Sequence, residues 1–214
     1  MKKYIYILFC LLLISEVRLQ GIGELAPEKE SIDFPPHAWG VDIMFGEGGF
    51  GFGGFYRKDI GSDLTFFTDF SISEAKDERE FEYIDYWGNT YVRGKKNRIF
   101  IMPLNFGLQY RLFRKEIGDN LRPYINFGAG PSMVVTTPYE DEFFTSFKRG
   151  EGHFTAGAYV GVGANFGLDQ SRLLGINIRY YVIRFFNEGV EGLEGSYLKN
   201  LGGFYVTLNI GSMY

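Results

Sequence analysis

Ala156-Gly157-Ala158-Tyr159-Val160-Gly161-Val162-Gly163-Ala164-Asn165-Phe166-Gly167-Leu168 is the stretch whose reading decides the fold. Its even positions hold only Ala, Val, Phe and Leu, and its odd positions only Gly, Tyr and Asn. Successive residues of a strand point to opposite faces, so a repeat of two that is this regular predicts a strand and excludes a helix. The same split recurs downstream. Leu174, Ile176, Ile178, Tyr180 and Val182 share a face opposite Gly175, Asn177, Arg179 and Tyr181. Phe204, Val206, Leu208 and Ile210 oppose Tyr205, Thr207, Asn209 and Gly211, and upstream Leu104, Phe106, Leu108, Tyr110 and Leu112 oppose Asn105, Gly107, Gln109 and Arg111.

Working outward from these four segments, the pattern predicts eight strands, near 38–46, 50–58, 63–73, 98–113, 122–136, 154–168, 172–186 and 203–214. In the second, Gly51, Gly53 and Gly54 weaken the register and mark a bulge. Short turns at Arg57–Asp63, Arg114–Asn120 and Leu168–Ser171 alternate with long polar loops at Glu74–Asn97, Pro138–His153 and Asn187–Gly202, apart from a very short first loop at Glu47–Gly49. An even number of antiparallel strands joined by short turns on one side and longer loops on the other is the plan of a bacterial outer-membrane barrel.

Alternation alone does not separate a membrane barrel from a soluble one of the lipocalin kind, which puts its apolar side inside. Three features favour the membrane. The polar faces carry Gly, Asn, Thr, Tyr and isolated charges rather than the Lys and Glu that coat a soluble surface. The strands are long enough to cross the hydrocarbon when tilted. Trp39, Tyr56, Tyr110, Phe113, Phe185, Phe186 and Tyr214 fall towards strand ends, where aromatics form interfacial girdles.

Composition agrees. The chain has 214 residues, a formal net charge of −4, 29 Gly and 18% aromatics. Glycine is about twice its average share but has no three-residue period, which excludes collagen, and the aromatics exclude a disordered linker. There is no basic footprint for nucleic acid. A mean hydropathy of −0.10 is what an apolar outside averaged with a polar inside would give. Residues 1–20 read as a signal peptide: Lys2 and Lys3 precede an apolar run, Tyr4–Ile14, too short to span as a helix. The sole cysteine, Cys10, lies in that run, so the mature chain has no thiol chemistry. Residues 21–37 form a periplasmic N-terminal segment and 38–214 the barrel.

The chain stops at Tyr214 behind alternating Phe204, Val206, Leu208 and Ile210, which resembles the terminal-strand signal read by the barrel-assembly machinery. The run Ile101-Met102-Pro103-Leu104-Asn105-Phe106-Gly107-Leu108-Gln109-Tyr110-Arg111, followed by Leu121-Arg122-Pro123-Tyr124-Ile125-Asn126-Phe127-Gly128-Ala129-Gly130-Pro131, resembles the paired-strand motif of PorT-like outer-membrane barrel proteins common in Bacteroidetes. Gly175–Tyr181 is similar to their penultimate strand. The resemblance implies a small eight-stranded barrel in a Gram-negative outer membrane and carries over no catalytic residue.

Chemistry-bearing motifs are sparse. His153-Phe154-Thr155 is the one candidate for a lipid A deacylase or acyltransferase, but Thr is a poor substitute for a nucleophilic Ser, and no inward acid follows on that strand. The glycine-rich run Gly46–Gly54 lacks the helix and Lys of a phosphate loop. Tyr139-Glu140-Asp141-Glu142 and Asp77-Glu78 lack calcium-loop spacing. Asp42, Asp69, Arg111 and Arg179 fall on the inward parity and predict a polar network in the lumen, because interior charges need partners. Tyr83, Asp85, Trp87, Asn89 and Tyr91 alternate around Gly88-Asn89, a hairpin signal, and predict a ribbon whose Tyr83, Trp87 and Tyr91 contact an extracellular partner.

The reading is an all-β, eight-stranded antiparallel up-and-down transmembrane barrel of the cell outer membrane with a packed lumen and a structural or surface-interaction role. It expects no catalysis, no cofactor and no metal. Its expected partners are outer-membrane lipid, the assembly machinery during insertion and an extracellular partner at the long loops; the barrel itself is expected to be a monomer. The alternatives are a lipid-modifying outer-membrane enzyme and a secreted, soluble, lipocalin-like binding barrel.

Overall fold

The computed structural model describes residues 32–77, 79–186 and 188–214. The predicted signal peptide, most of the N-terminal segment and Glu78 lie outside the described residues. Eight strands close into one barrel: β1 (His37–Gly46), β2 (Gly49–Asp59), β3 (Leu64–Ala75), β6 (Asn97–Arg111), β7 (Leu121–Pro138), β8 (Glu151–Phe166), β9 (Arg172–Arg184) and β12 (Asn200–Met213). Each pairs antiparallel with its chain neighbours, and β1 closes the ring on β12. The long loops add two small hairpins, β4 (Glu82–Ile84) with β5 (Thr90–Val92) and β10 (Val190–Leu193) with β11 (Ser196–Leu198), and a short helical turn, α1 (Phe143–Ser146), that runs into a 3-10 turn at Phe147–Arg149.

Every barrel pairing keeps one register from end to end; β8 and β9, for example, run from Ala156 opposite Arg184 to Phe166 opposite Leu174. The bulge expected at Gly51–Gly54 is therefore absent from β2, which pairs without a shift with β1 and β3. Those glycines serve close approach instead: a Cβ on Gly53 would lie 2.5 Å from the Phe70 carbonyl oxygen. The first loop is a tight turn at Glu47–Gly48 followed by Gly49, whose φ of +125° disfavours any side chain. Pro103, inside β6, donates no amide, and the ladder to β3 breaks opposite it, stopping at Phe70 and resuming at Ser73.

The direction of the side chains decides between membrane and soluble barrel. Val160 and Val162 point outward and are 58% and 54% exposed, whereas the inward Asn177 and Arg179 are 0% and 2% exposed. The outward band continues around the ring through Val41, Phe52, Phe70, Phe106, Phe127, Ile178 and Val206. Soluble monomers rarely expose apolar patches beyond about 300–600 Å². A lipocalin-like barrel has the opposite orientation, so that alternative is excluded.

The lumen is filled in layers. At the turn end Ala38, Phe55, Leu173 and Met213 form a small apolar cluster with Phe34 packed on it. Buried polar residues occupy the middle, roofed by Phe67, Tyr159, Tyr181 and Tyr205. Inward glycines make room for these rings: a Cβ on Gly128 would sit 2.7 Å from Tyr159 Cε1 and one on Gly163 2.7 Å from Tyr124 Cζ. At the loop end, Ile99, Ile101, Val134, Ile183, Phe185, Val190 and Leu201 form an apolar plug. Phe185 thus differs from its expected place in the lipid girdle: β9 ends at Arg184, and Phe185 folds in beneath the loops, 4% exposed.

Candidate functional site

Three of the four charges predicted for the lumen meet at its centre. Arg179, projecting from the middle of β9, reaches across the barrel with Nη2 3.1 Å from Asp42 Oδ2 of β1 and Nη1 3.5 Å from Asp69 Oδ2 of β3. Asn209 Nδ2 donates to Asp42 Oδ1 at 2.5 Å, Asn105 Nδ2 to Asp69 Oδ1 at 2.8 Å and the Tyr159 hydroxyl to Asp69 Oδ2 at 2.9 Å. The Tyr159 ring also lies 5.0 Å from the guanidinium carbon. One cation held between two carboxylates, each with further donors, ties six strands together across the ring and leaves little room for a solute.

Arg111 is not part of this cluster. It sits at the turn end of β6 and pairs with Asp119 of the following turn, Nη2 to Oδ1, at 2.6 Å. The reason is length: β6 stops at Arg111, so this side chain lies at the mouth, nearer the turn than the central layer. Two further inward arginines, Arg57 and Arg122, share that mouth. Arg57 falls where the predicted strand 50–58 and the predicted turn Arg57–Asp63 overlap; β2 continues to Asp59 and carries it inside.

The three long loops fold together over the opposite end. Lys95 Nζ bonds Glu80 at 2.8 Å, Lys96 Nζ bonds Glu191 at 2.5 Å and Asn97 Nδ2 donates to the Glu191 carbonyl at 2.8 Å. The Lys96 ammonium holds the Glu191 carboxyl below the usual carboxylate range. The acidic loop residues weighed as calcium ligands have protein partners: Asp77 binds Arg79 and Ser196, Asp141 faces Arg149, and Glu142 caps α1 by accepting from Thr145 N at 3.1 Å.

The expected hairpin is β4–β5, with Tyr83 opposite Tyr91 and their rings stacked 5.8 Å apart. Asp85 builds its tip by accepting from Trp87 N and Asn89 N at 2.9 and 2.8 Å, and these bonds, led by that from the Asn89 side chain, hold its carboxyl below the usual range. Gly88 supplies the positive φ of the turn, +85°. Tyr86 and Trp87 stand out at the tip, 96% and 83% exposed. Tyr86 lies between the predicted contact residues and off their alternate positions, because in a turn the period of two ends.

At the other end of the chain Phe204, Val206, Leu208 and Ile210 lie on the outward face of β12, and Tyr214 exchanges backbone hydrogen bonds with His37, at 2.9 and 3.2 Å, stacking on its ring at 5.5 Å. His153 of β8 faces Thr136 Oγ1 at 3.5 Å and the edge of Phe185, while the Thr155 hydroxyl donates to the Arg184 carbonyl at 2.5 Å. The two groups of the candidate acyl-transfer motif therefore have separate partners.

The barrel is similar to Neisserial surface protein A, with a TM-score of 0.54 and 11% identity, covering 83% of this chain and 95% of that one. The chain has the fold of a small outer-membrane β-barrel. OprG of Pseudomonas aeruginosa (TM-score 0.45, 10% identity, 85% and 97% covered) and Ail of Yersinia pestis (0.43, 13%, 82% and 95%) are more distant matches. No family model matches the chain, and no curated protein matches it. At these identities the shared property is the fold, so the PorT-like motif stands on the residues quoted for it.

Proposed function

We propose that this chain is a non-catalytic protein of the Gram-negative cell outer membrane, of the PorT-like kind, whose long loops engage an extracellular partner. The observation that carries the reading is the β4–β5 hairpin: its tip is fixed by Asp85, yet Tyr86 and Trp87 are exposed well beyond what folding requires. Aromatic side chains supply much of the energy at protein contact sites and are costly to leave in water without one. The filled lumen is consistent with work done at the surface rather than through a pore. Within this reading the short turns and both described chain ends face the periplasm, residues 1–20 are a cleaved signal, and Phe204, Val206, Leu208, Ile210 and Tyr214 form the strand read by the assembly machinery.

The test uses cells that display the full chain with an epitope inserted between Trp87 and Gly88. The epitope is expected to be reachable by antibody on intact cells. In the untagged protein, Tyr86→Ser with Trp87→Ser is expected to reduce attachment of the cells to a protein-coated surface by at least about tenfold, the loss of one contact hot spot. A buried epitope, or unchanged attachment by a correctly folded double variant, would contradict the reading.

A further inference from the structure

The turn-end mouth of the lumen holds a cavity of about 90 Å³, whose lining includes Arg57, Arg111, Arg122, Phe34 and His37. A single water needs roughly 10–15 Å³ of such space, so the cavity is roomy enough for several waters or for one small ion. Arg122 is 7% exposed, and its guanidinium carbon lies over the Phe34 ring, 3.7 Å from the centroid. A ring at this distance over the guanidinium carbon makes no hydrogen bond to its N–H groups. The Nε and Nη2 atoms, which form one edge of the group, are buried without a hydrogen-bond partner. That edge is the one that receives an oxyanion through two parallel N–H···O bonds.

The neighbours point the same way. Arg111 commits Nη2 to Asp119 but leaves Nε buried and without a partner. Arg57, 5% exposed, donates to the neutral Asn165 Oδ1 at 3.2 Å and stacks on Phe55 at 4.5 Å. The carboxylates around the cavity are bonded elsewhere: Asp59 accepts from Thr65 Oγ1 at 2.6 Å, and Asp63 faces Arg114 at 3.4 Å. Two buried guanidiniums therefore have no hydrogen-bonded carboxylate, a costly state that a bound anion relieves.

We infer that this mouth is a binding site for a small oxyanion, phosphate or carboxylate, held edge-on by Arg122 with Arg111 and Arg57 beside it and covered by the Phe34 segment. The site is separated from the loop hairpin by the central Arg179 layer and does not depend on the surface role proposed above.

The test titrates full-length folded protein in uncharged detergent with inorganic phosphate, and separately with acetate, at constant ionic strength, following the Arg Nε–H resonances. A saturable, one-site shift of the Arg122 resonance in the millimolar range is expected, and the stronger of the two titrations identifies a tetrahedral or a planar anion. Arg122→Met is expected to weaken binding at least about tenfold, the loss of one bidentate charged contact. It should leave unboiled gel mobility unchanged, since it removes a buried charge. Arg122→Lys, which keeps the charge but not the fork, is expected to fall in between. A linear, unsaturable shift, equal binding by Arg122→Met, or a wild-type Arg122 edge that proves to be closed by Asp59 would each overturn the site.

Discussion

Replacing Arg179 by Met lowers the unfolding free energy of the barrel by about 3–5 kcal/mol, the usual cost of removing one partner from a buried ion pair. The size of the effect follows from what remains. Asp42 and Asp69 are 1% and 2% exposed, and without the guanidinium two buried carboxylates lose the cation between them. If the loss comes from stranded charge rather than from lost packing, the triple change Asp42→Asn, Asp69→Asn, Arg179→Met recovers most of it, because a neutral set has nothing left to compensate. Urea unfolding in phospholipid vesicles measures both, with Trp39 on the lipid face as the fluorescent reporter. An Arg179→Met barrel within about 1 kcal/mol of the parent, the range of an ordinary substitution, would mean that the central cluster is not what holds the strands in place.

The second large effect is on the outside. Ile178 lies at the middle of β9, faces outward and is 47% exposed. In lipid, Ile178→Arg costs about 2–4 kcal/mol, while Leu121→Arg, at the turn end of β7, costs only about 0–1 kcal/mol, because the penalty for a charge falls towards the interface. On a water-exposed surface both changes would lie within about 0.5 kcal/mol of zero. The same vesicle unfolding assay separates the cases, and it is the depth dependence, rather than either value alone, that identifies the solvent as a bilayer.

Much of this architecture could be read directly from the residues because one chemical contrast, lipid against lumen, is written at every second position. Ala156–Leu168 and Leu174–Val182 give both the strand and its orientation. The contrast fails where the environment changes. At Ile99-Phe100-Ile101-Met102 both faces are apolar, because the inward residues Ile99 and Ile101 leave the polar lumen and join the plug beneath the loops. Phe185 was misplaced for the same reason, since an aromatic near a strand end reads as a girdle whether it points to lipid or folds under a loop. Inward parity marked Asp42, Asp69, Arg111 and Arg179 alike, but parity carries no depth. Only register along the tilted strands separates Arg111 at the mouth from the other three at the centre. The mouth arginines had a weaker signal still. Arg57 lies two residues before the end of β2 and Arg122 is the second residue of β7, where turn chemistry and strand periodicity overlap.

The central claim, that these eight strands form a barrel with lipid on the outside, has one most direct measurement. Cells expressing the chain are fractionated, and the extracted protein is run in SDS with and without boiling. The account predicts a protein found in the membrane fraction that requires detergent for release and migrates faster unboiled than boiled, because a closed barrel with every strand paired resists the detergent. Recovery in the soluble fraction without detergent, as a single band unaffected by heating, would contradict it.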